Sequence, residues 1–223
     1  MAIQLETLKS IDHFSGLDRA ELEAIKGLMF EVKAGRGEFI LHEGEPADAL
    51  YFVVSGVVKV FKTSSEGKEQ ILLIVRPGES FNDVPVFGGG VNPCSAQSMG
   101  EVVLYGIRTG DMEAVLKTHP RLAMNVMRVL SQKLRHMVSL VEDLSFKHVT
   151  ARVAKILLEY AGDGTGPKPK LTQQEMAAIA GTAREMIGRS LKDLEEEGMI
   201  KMDRHRIVIT DKEALQRLAG IVL

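Results

Sequence analysis

Through residues 5–30 the apolar positions fall three and four apart. Leu22, Ile25, Leu28 and Met29 continue a segment opened by Leu17-Asp18-Arg19-Ala20-Glu21, which predicts short amphipathic helices. After Glu31 the pattern shortens. Runs rich in Val, Ile, Phe and Tyr occupy Glu38–Leu41, Leu50–Val54, Val57–Lys62, Gln70–Val75 and Val102–Ile107, separated by Gly44-Glu45-Pro46, Ser55-Gly56, Glu66-Gly67 and Pro77-Gly78. Short runs punctuated by turn residues at this spacing predict an antiparallel roll or barrel. From about Asp111 the helical period returns, and Met127, Leu130, Leu134, Met137, Val141 and Leu144 step by 3, 4, 3, 4, 3. Such a seam belongs to a helix packed on its own domain or to a coiled-coil dimer interface, and we assign it to a homodimer.

Beyond a helix predicted over Val149–Ala161 lies a breaker-rich loop, Gly162-Asp163-Gly164-Thr165-Gly166-Pro167-Lys168-Pro169. Thr172 to Glu175 has the spacing of a capping box, and the helix it opens ends at Gly181. Thr182 to Glu185 repeats the spacing and opens a second helix that runs to Gly198. Two helices joined through a glycine predict a helix-turn-helix whose second member enters a major groove. With Ile187, Leu191 and Leu194 as the buried stripe, Glu185, Gly188, Arg189 and Lys192 face outward and Arg184 sits at the margin. The forked guanidinium of Arg suits the O6/N7 edge of guanine, and Glu accepts from the cytosine amino group. Thr172, Gln173 and Thr182 complete the face turned to DNA. Two short strands, Met199–Met202 and Ile207–Thr210, flank Asp203-Arg204-His205-Arg206 and predict a wing, with Arg204 and Arg206 on phosphates.

Composition narrows the function class. A chain of 223 residues with 45% apolar and 26% charged residues suits two folded domains. The net charge of −2 gives no global pull on nucleic acid, so DNA binding must rest on local placement: from His148 onward 12 Lys and Arg face 11 Asp and Glu. A single cysteine, Cys94, excludes an internal disulfide, a thiol zinc site and a four-cysteine cluster. The N-terminal residues lack a basic region leading into an apolar stretch, and no run spans a bilayer, so a cytoplasmic protein without a membrane partner is expected. No Gly-rich phosphate loop or nucleophile–base set is present, which argues against an enzyme or a kinase-type regulatory subunit. A ligand-independent DNA-binding protein is the third alternative. The expected organisation is α+β: an effector-sensing β-roll with N-terminal helices over 1–110, a dimerisation helix over 111–147, and a winged helix-turn-helix over 148–223.

Several segments together resemble the CRP/FNR superfamily of transcription regulators. In the first half these are Gly37-Glu38, Glu43-Gly44-Glu45-Pro46-Ala47, Leu50-Tyr51-Phe52-Val53-Val54-Ser55-Gly56 and Val58-Lys59-Val60. In the second they are Val149-Thr150-Ala151-Arg152-Val153-Ala154, Thr172-Gln173-Gln174-Glu175-Met176-Ala177 and Arg184-Glu185-Met186-Ile187-Gly188-Arg189. The resemblance implies a homodimer on double-stranded DNA, half-sites resembling TGTGA read by Arg184, Glu185 and Arg189, and RNA polymerase as a partner where the regulator activates.

It also implies a small-molecule effector, in a pocket formed here by Phe81, Asn82, Asp83, Cys94, Ser95, Met137 and Val138. Relatives that bind cyclic AMP carry a Gly-Glu pair for the ribose and an Arg before Ser-Ala for the phosphate. This chain has Asn82-Asp83 and Cys94 at those places, and Met137-Val138 where those relatives present two hydroxyls to adenine. A buried cyclic phosphate without a counter-charge is costly. Cyclic AMP is therefore disfavoured. Haem-based gas sensors also occur in the superfamily, and by chemistry alone His13, His42, Cys94 and Met99 are candidate iron ligands. The flexible Gly88-Gly89-Gly90-Val91-Asn92-Pro93 stretch adjoins Cys94.

Overall fold

The computed structural model describes residues 3–160, 171–203 and 206–221. It packs as two compact units, Met1–Lys62 with Leu72–Met137 and Thr63–Ile71 with Val138–Leu223. The division falls inside the long helix.

The first unit begins with α1 (Leu5–Lys9), a single 3-10 turn at Asp12–Phe14, and α2 (Arg19–Lys26). Asp18 and Glu21 cap α2 reciprocally, and Gly27 ends it. Leu28 and Met29 therefore do not continue the helix. Met29 instead opens β1 (Met29–Ala34), followed by β2 (Phe39–Leu41), β3 (Ala49–Ser55), β4 (Val58–Thr63), β5 (Glu69–Val75), β6 (Ser80–Phe81), α3 (Asp83–Gly88), β7 (Ser95–Ser98) and β8 (Val102–Arg108). Two four-stranded sheets result, in the orders β1-β8-β3-β6 and β2-β7-β4-β5.

Alternation along β3 explains why a nearly continuous apolar run is a strand here. Leu50 and Phe52 enter a core with Leu22, Ile25, Ile107, Met112 and Leu122, while Tyr51 and Val53 enter a second core with Val58, Phe81, Ala96 and Leu104. Successive side chains point to opposite faces, and both faces are covered. The reversal after β3 needs glycine. Gly56 has φ +83°, and a Cβ there would meet the Glu101 carbonyl oxygen at 2.3 Å.

The helical stretch expected from 111 is two helices, α4 (Thr109–Thr118) and α5 (Pro120–Phe146). Pro120 supplies the break, since proline is tolerated at a first helical position but not within a helix. Asn125, buried in α5, donates to the His13 and Ser15 carbonyls at 3.0 and 2.8 Å, which ties α5 to the N-terminal turn.

The second unit contains α6 (Val149–Tyr160), α7 (Gln173–Ala180), α8 (Arg184–Glu196), β9 (Ile200–Asp203), β10 (Arg206–Ile209) and α9 (Lys212–Leu218). Val153, Leu157, Ala177, Ile187, Leu191, Leu194 and Leu215 form its core. β9 and β10 pair antiparallel from Ile200↔Ile209 to Asp203↔Arg206. The loop expected at 162–169 and the wing residue Arg204 lie outside the described residues.

Candidate DNA interface and effector region

The start of α7 is fixed by two reciprocal bonds: the Glu175 amide donates to Thr172 Oγ1 at 3.1 Å, and the Thr172 amide donates to Glu175 Oε2 at 2.6 Å. This is the capping box read from the sequence. Thr172 is exposed and Gln173 partly so. The helix ends on Gly181 at φ +65°, ψ 38°, whose amide donates to the Ala177 carbonyl.

The second capping box does not form. Ala183 is the N-cap of α8 and no side chain caps it, while the Thr182 amide donates back to the Ala177 carbonyl at 3.0 Å. Thr182 thus finishes α7 and does not begin α8. The correction frees Glu185, exposed in the first turn of α8, from the capping duty that was its alternative role.

Ile187, Leu191 and Leu194 are fully buried, and Ser190 with them, while Arg184, Glu185, Arg189 and Lys192 are exposed and Gly188 is half-buried. Lys192 is drawn to Glu196 at 3.4 Å, but both are well exposed and the pair contributes little. Arg206 is exposed at the start of β10, opposite Asp203. An acidic and cationic row thus rests on a dry stripe, and its groups can reach a groove without uncovering the core.

Around the expected effector residues, several side chains are turned inward. Asn82 adopts φ +72° and donates from Nδ2 to the Ala49 carbonyl at 3.1 Å. Asp83 is buried. It accepts from Ser80 Oγ at 2.9 Å and from Lys133 Nζ, which also donates to the Ser80 carbonyl at 2.8 Å, and His13 Nε2 lies 3.4 Å away. Burial pushes the Asp83 carboxyl up, but His13 and Lys133 outweigh it and hold the group well below the usual carboxylate range. In the effector region expected from the sequence, Asn82 and Asp83 thus both have partners within the fold. Phe81 is buried and stacks on Tyr51, with ring centroids 5.4 Å apart.

Cys94 is half-buried, and burial pushes its thiol up while Lys62 works in the opposite direction. Lys62 was not foreseen near Cys94, because only the fold brings the end of β4 to that loop. Its charge is already engaged: Nζ lies 2.7 Å from Glu43 Oε1 and donates to the Pro93 carbonyl at 3.1 Å. Ser95 Oγ accepts from the Glu43 amide at 3.0 Å. Met137 is half-buried and Val138 exposed. Of the candidate iron ligands, His13 is fully buried with its ring edge-on to Phe52 at 5.1 Å, and His42 stacks on Phe39 at 4.5 Å. Among the described residues no three His, Cys, Asp or Glu side chains converge as a metal site.

A β-roll, a long helix and a winged helix-turn-helix with an exposed cationic face define a ligand-sensing, DNA-binding protein. Comparison with known proteins makes the class specific. Residues 31–119 match the cyclic nucleotide-binding domain and residues 151–218 the Crp-like helix-turn-helix domain. The CRP-like cAMP-activated global transcriptional regulator of Mycobacterium tuberculosis is 30% identical over 221 residues, spanning 96% of this chain and 99% of that protein. The cyclic AMP receptor protein of Thermus thermophilus is 30% identical over 212 residues, spanning 95% and 98%. A solved CRP-family transcriptional regulator from Thermus thermophilus superposes with a TM-score of 0.71 at 29% identity, over 85% of this chain and 96% of that one. The chain belongs to the CRP/FNR superfamily of effector-responsive, DNA-binding transcription regulators. These relatives are regulators and not enzymes. No helix among the described residues is long and apolar enough to cross a membrane.

Proposed function

We propose that the chain acts as a homodimer that places two copies of α8 in successive major grooves of a palindromic operator. Arg184, Glu185 and Arg189 read base edges there, and Arg206, with Arg204, holds phosphate. The observation that carries this is the exposed Arg184, Glu185 and Arg189 row on a helix whose Ile187, Leu191 and Leu194 stripe is fully buried. The resemblance of Arg184, Glu185 and Arg189 to the family's recognition pattern implies half-sites resembling TGTGA, and the docking geometry of dimeric helix-turn-helix proteins, the cyclic-AMP receptor protein among them, sets their centres about 34 Å apart. At promoters where the protein activates, RNA polymerase is the further partner.

Selection of binding sites from a random library tests the assignment. Wild type is expected to yield a palindrome. Arg189→Ala should lose about 1–3 kcal/mol on that site and relax preference at one base pair per half-site. An unchanged motif for the variant defeats the role given to Arg189.

The effector, in this reading, is not cyclic AMP, although the Mycobacterium and Thermus relatives carry that ligand in their names. Cys94 brings no positive charge, Lys62 beside it is paired with Glu43, and Asp83 is paired with Lys133. Titration calorimetry is expected to show no binding coupled to DNA affinity. A low-micromolar dissociation constant with stimulated DNA binding overturns the reading. Haem is the alternative that ligand chemistry leaves, with His42, Cys94 and Met99 less buried than His13, and a Soret band in the purified protein decides it.

A further inference from the structure

Three parts of the second unit converge on the turn between α7 and α8. The last carbonyls of any helix lack intrahelical donors and must find others. In α7 the Ala177 carbonyl takes the amides of Gly181 and Thr182. The Ala180 carbonyl accepts from Arg152 Nε at 2.8 Å, and the same guanidinium donates to the Lys147 carbonyl just beyond α5. The Ile179 carbonyl accepts from Gln70 Nε2 at 3.3 Å, and that amide also donates to the Ile71 carbonyl at 3.1 Å.

Gln70 belongs to the β4–β5 hairpin, whose segment Thr63–Ile71 packs with residues 138–223. It holds the turn twice. A Cβ on Gly181 would stand 2.9 Å from Gln70 Oε1 and 2.7 Å from Leu144 Cδ2, so these two side chains already fill the space a side chain at 181 would need, and only glycine fits against them. Gly181 occupies the left-handed conformation that sets the direction of departure from α7, and Arg184 opens α8 directly after Ala183. A small displacement of Ile179 to Gly181 is therefore a rotation of the helix that carries Arg184 and Arg189.

We propose that Gln70 is a positioning residue for base recognition: through the Ile179 carbonyl and Gly181 it holds α8 in the orientation that reads sequence. β5 continues from Gln70 to Val75, and residues from Leu72 onward belong to the other compact unit. The proposal rests on α8 being the recognition helix.

The test uses the full-length protein and two duplexes, the palindrome that wild type selects from a random library and a scrambled sequence of equal length. Gln70→Glu keeps the size but turns a donor into an acceptor facing the Ile179 carbonyl; Gln70→Ala removes the contact. Both are expected to bind the palindrome roughly 2- to 10-fold more weakly, the range of one net hydrogen bond. Scrambled-duplex affinity and its salt dependence should stay at wild-type values, because phosphate contacts carry no base information. Amide exchange at Gly181 and Thr182 should quicken in both variants. Wild-type affinity for the palindrome in both variants, or equal losses on the two duplexes, overturns the role of Gln70. A wild type that selects no palindrome defeats the assignment of α8 instead, which separates the two failures.

Discussion

A carboxylate removed from water is tolerated when its charge is met on several sides, and Asp83 shows the arrangement. Its side chain is 3% exposed, with Lys133 on one side, Ser80 on another and His13 beyond. Because the folded state holds the Asp83 carboxyl well below its ordinary value of about 3.9, the stabilisation is complete above that value and is lost as pH falls through the depressed one. Lys133→Met should leave a buried, under-paired charge and cost about 3 kcal/mol at pH 7, the lower end of the range for breaking a buried pair. The deficit should shrink toward about pH 3, where the carboxyl of the variant takes up a proton and wild type begins to lose its own advantage. Urea unfolding of both proteins across this range checks it, and a deficit independent of pH contradicts the assignment. None of this was legible in the sequence. Asp83 and Lys133 are 50 residues apart, and only the fold shows that the acid is paired with the long helix.

Local signals in the sequence predicted elements well where their partners were also local. The start of α7 was legible because Thr172 and Glu175 complete each other three residues apart. The same spacing at Thr182 and Glu185 misled, since the Thr182 amide is drawn back to close α7 on Ala177 and cannot also initiate α8. β1 was partly read as helix because its pairing partner is distant: Met29 lies opposite Ile107. β7, Ser-Ala-Gln-Ser, has no apolar alternation of its own and is held between β2 and β4, with Ala96 opposite both Leu41 and Val60. The outward face of α8 was legible for the opposite reason. Burial of Ile187, Leu191 and Leu194 follows from periodicity alone, and that places Arg184, Glu185 and Arg189 outward. Lys62 near Cys94 and Gln70 on the α7 carbonyl needed the tertiary structure.

At the scale of the molecule, the seam on α5 is rotated from the one read as a repeat. Leu130 packs against the core of its own unit, and Met137 is half-buried. Met127, Leu134, Val138 and Val141 are 52%, 65%, 61% and 64% exposed and run along one face of a 27-residue helix, while Leu144 at 38% rests partly on Gly181. Four large apolar side chains aligned in water are costly, and a second copy of the same helix would cover them as a coiled coil does. Leu134 lies within this row and is its most exposed member. Leu134→Glu would set two carboxylates against each other across the two-fold axis and should give a monomer at micromolar concentration in analytical ultracentrifugation, where wild type gives a dimer. The variant should also lose most of its affinity for the palindrome, since each half-site then binds without the effective concentration its partner supplies. Binding to a single half-site should persist at wild-type strength, because the α8 face is untouched. A dimeric mass for Leu134→Glu, or a monomeric one for wild type, would remove this seam as the basis of two-fold recognition.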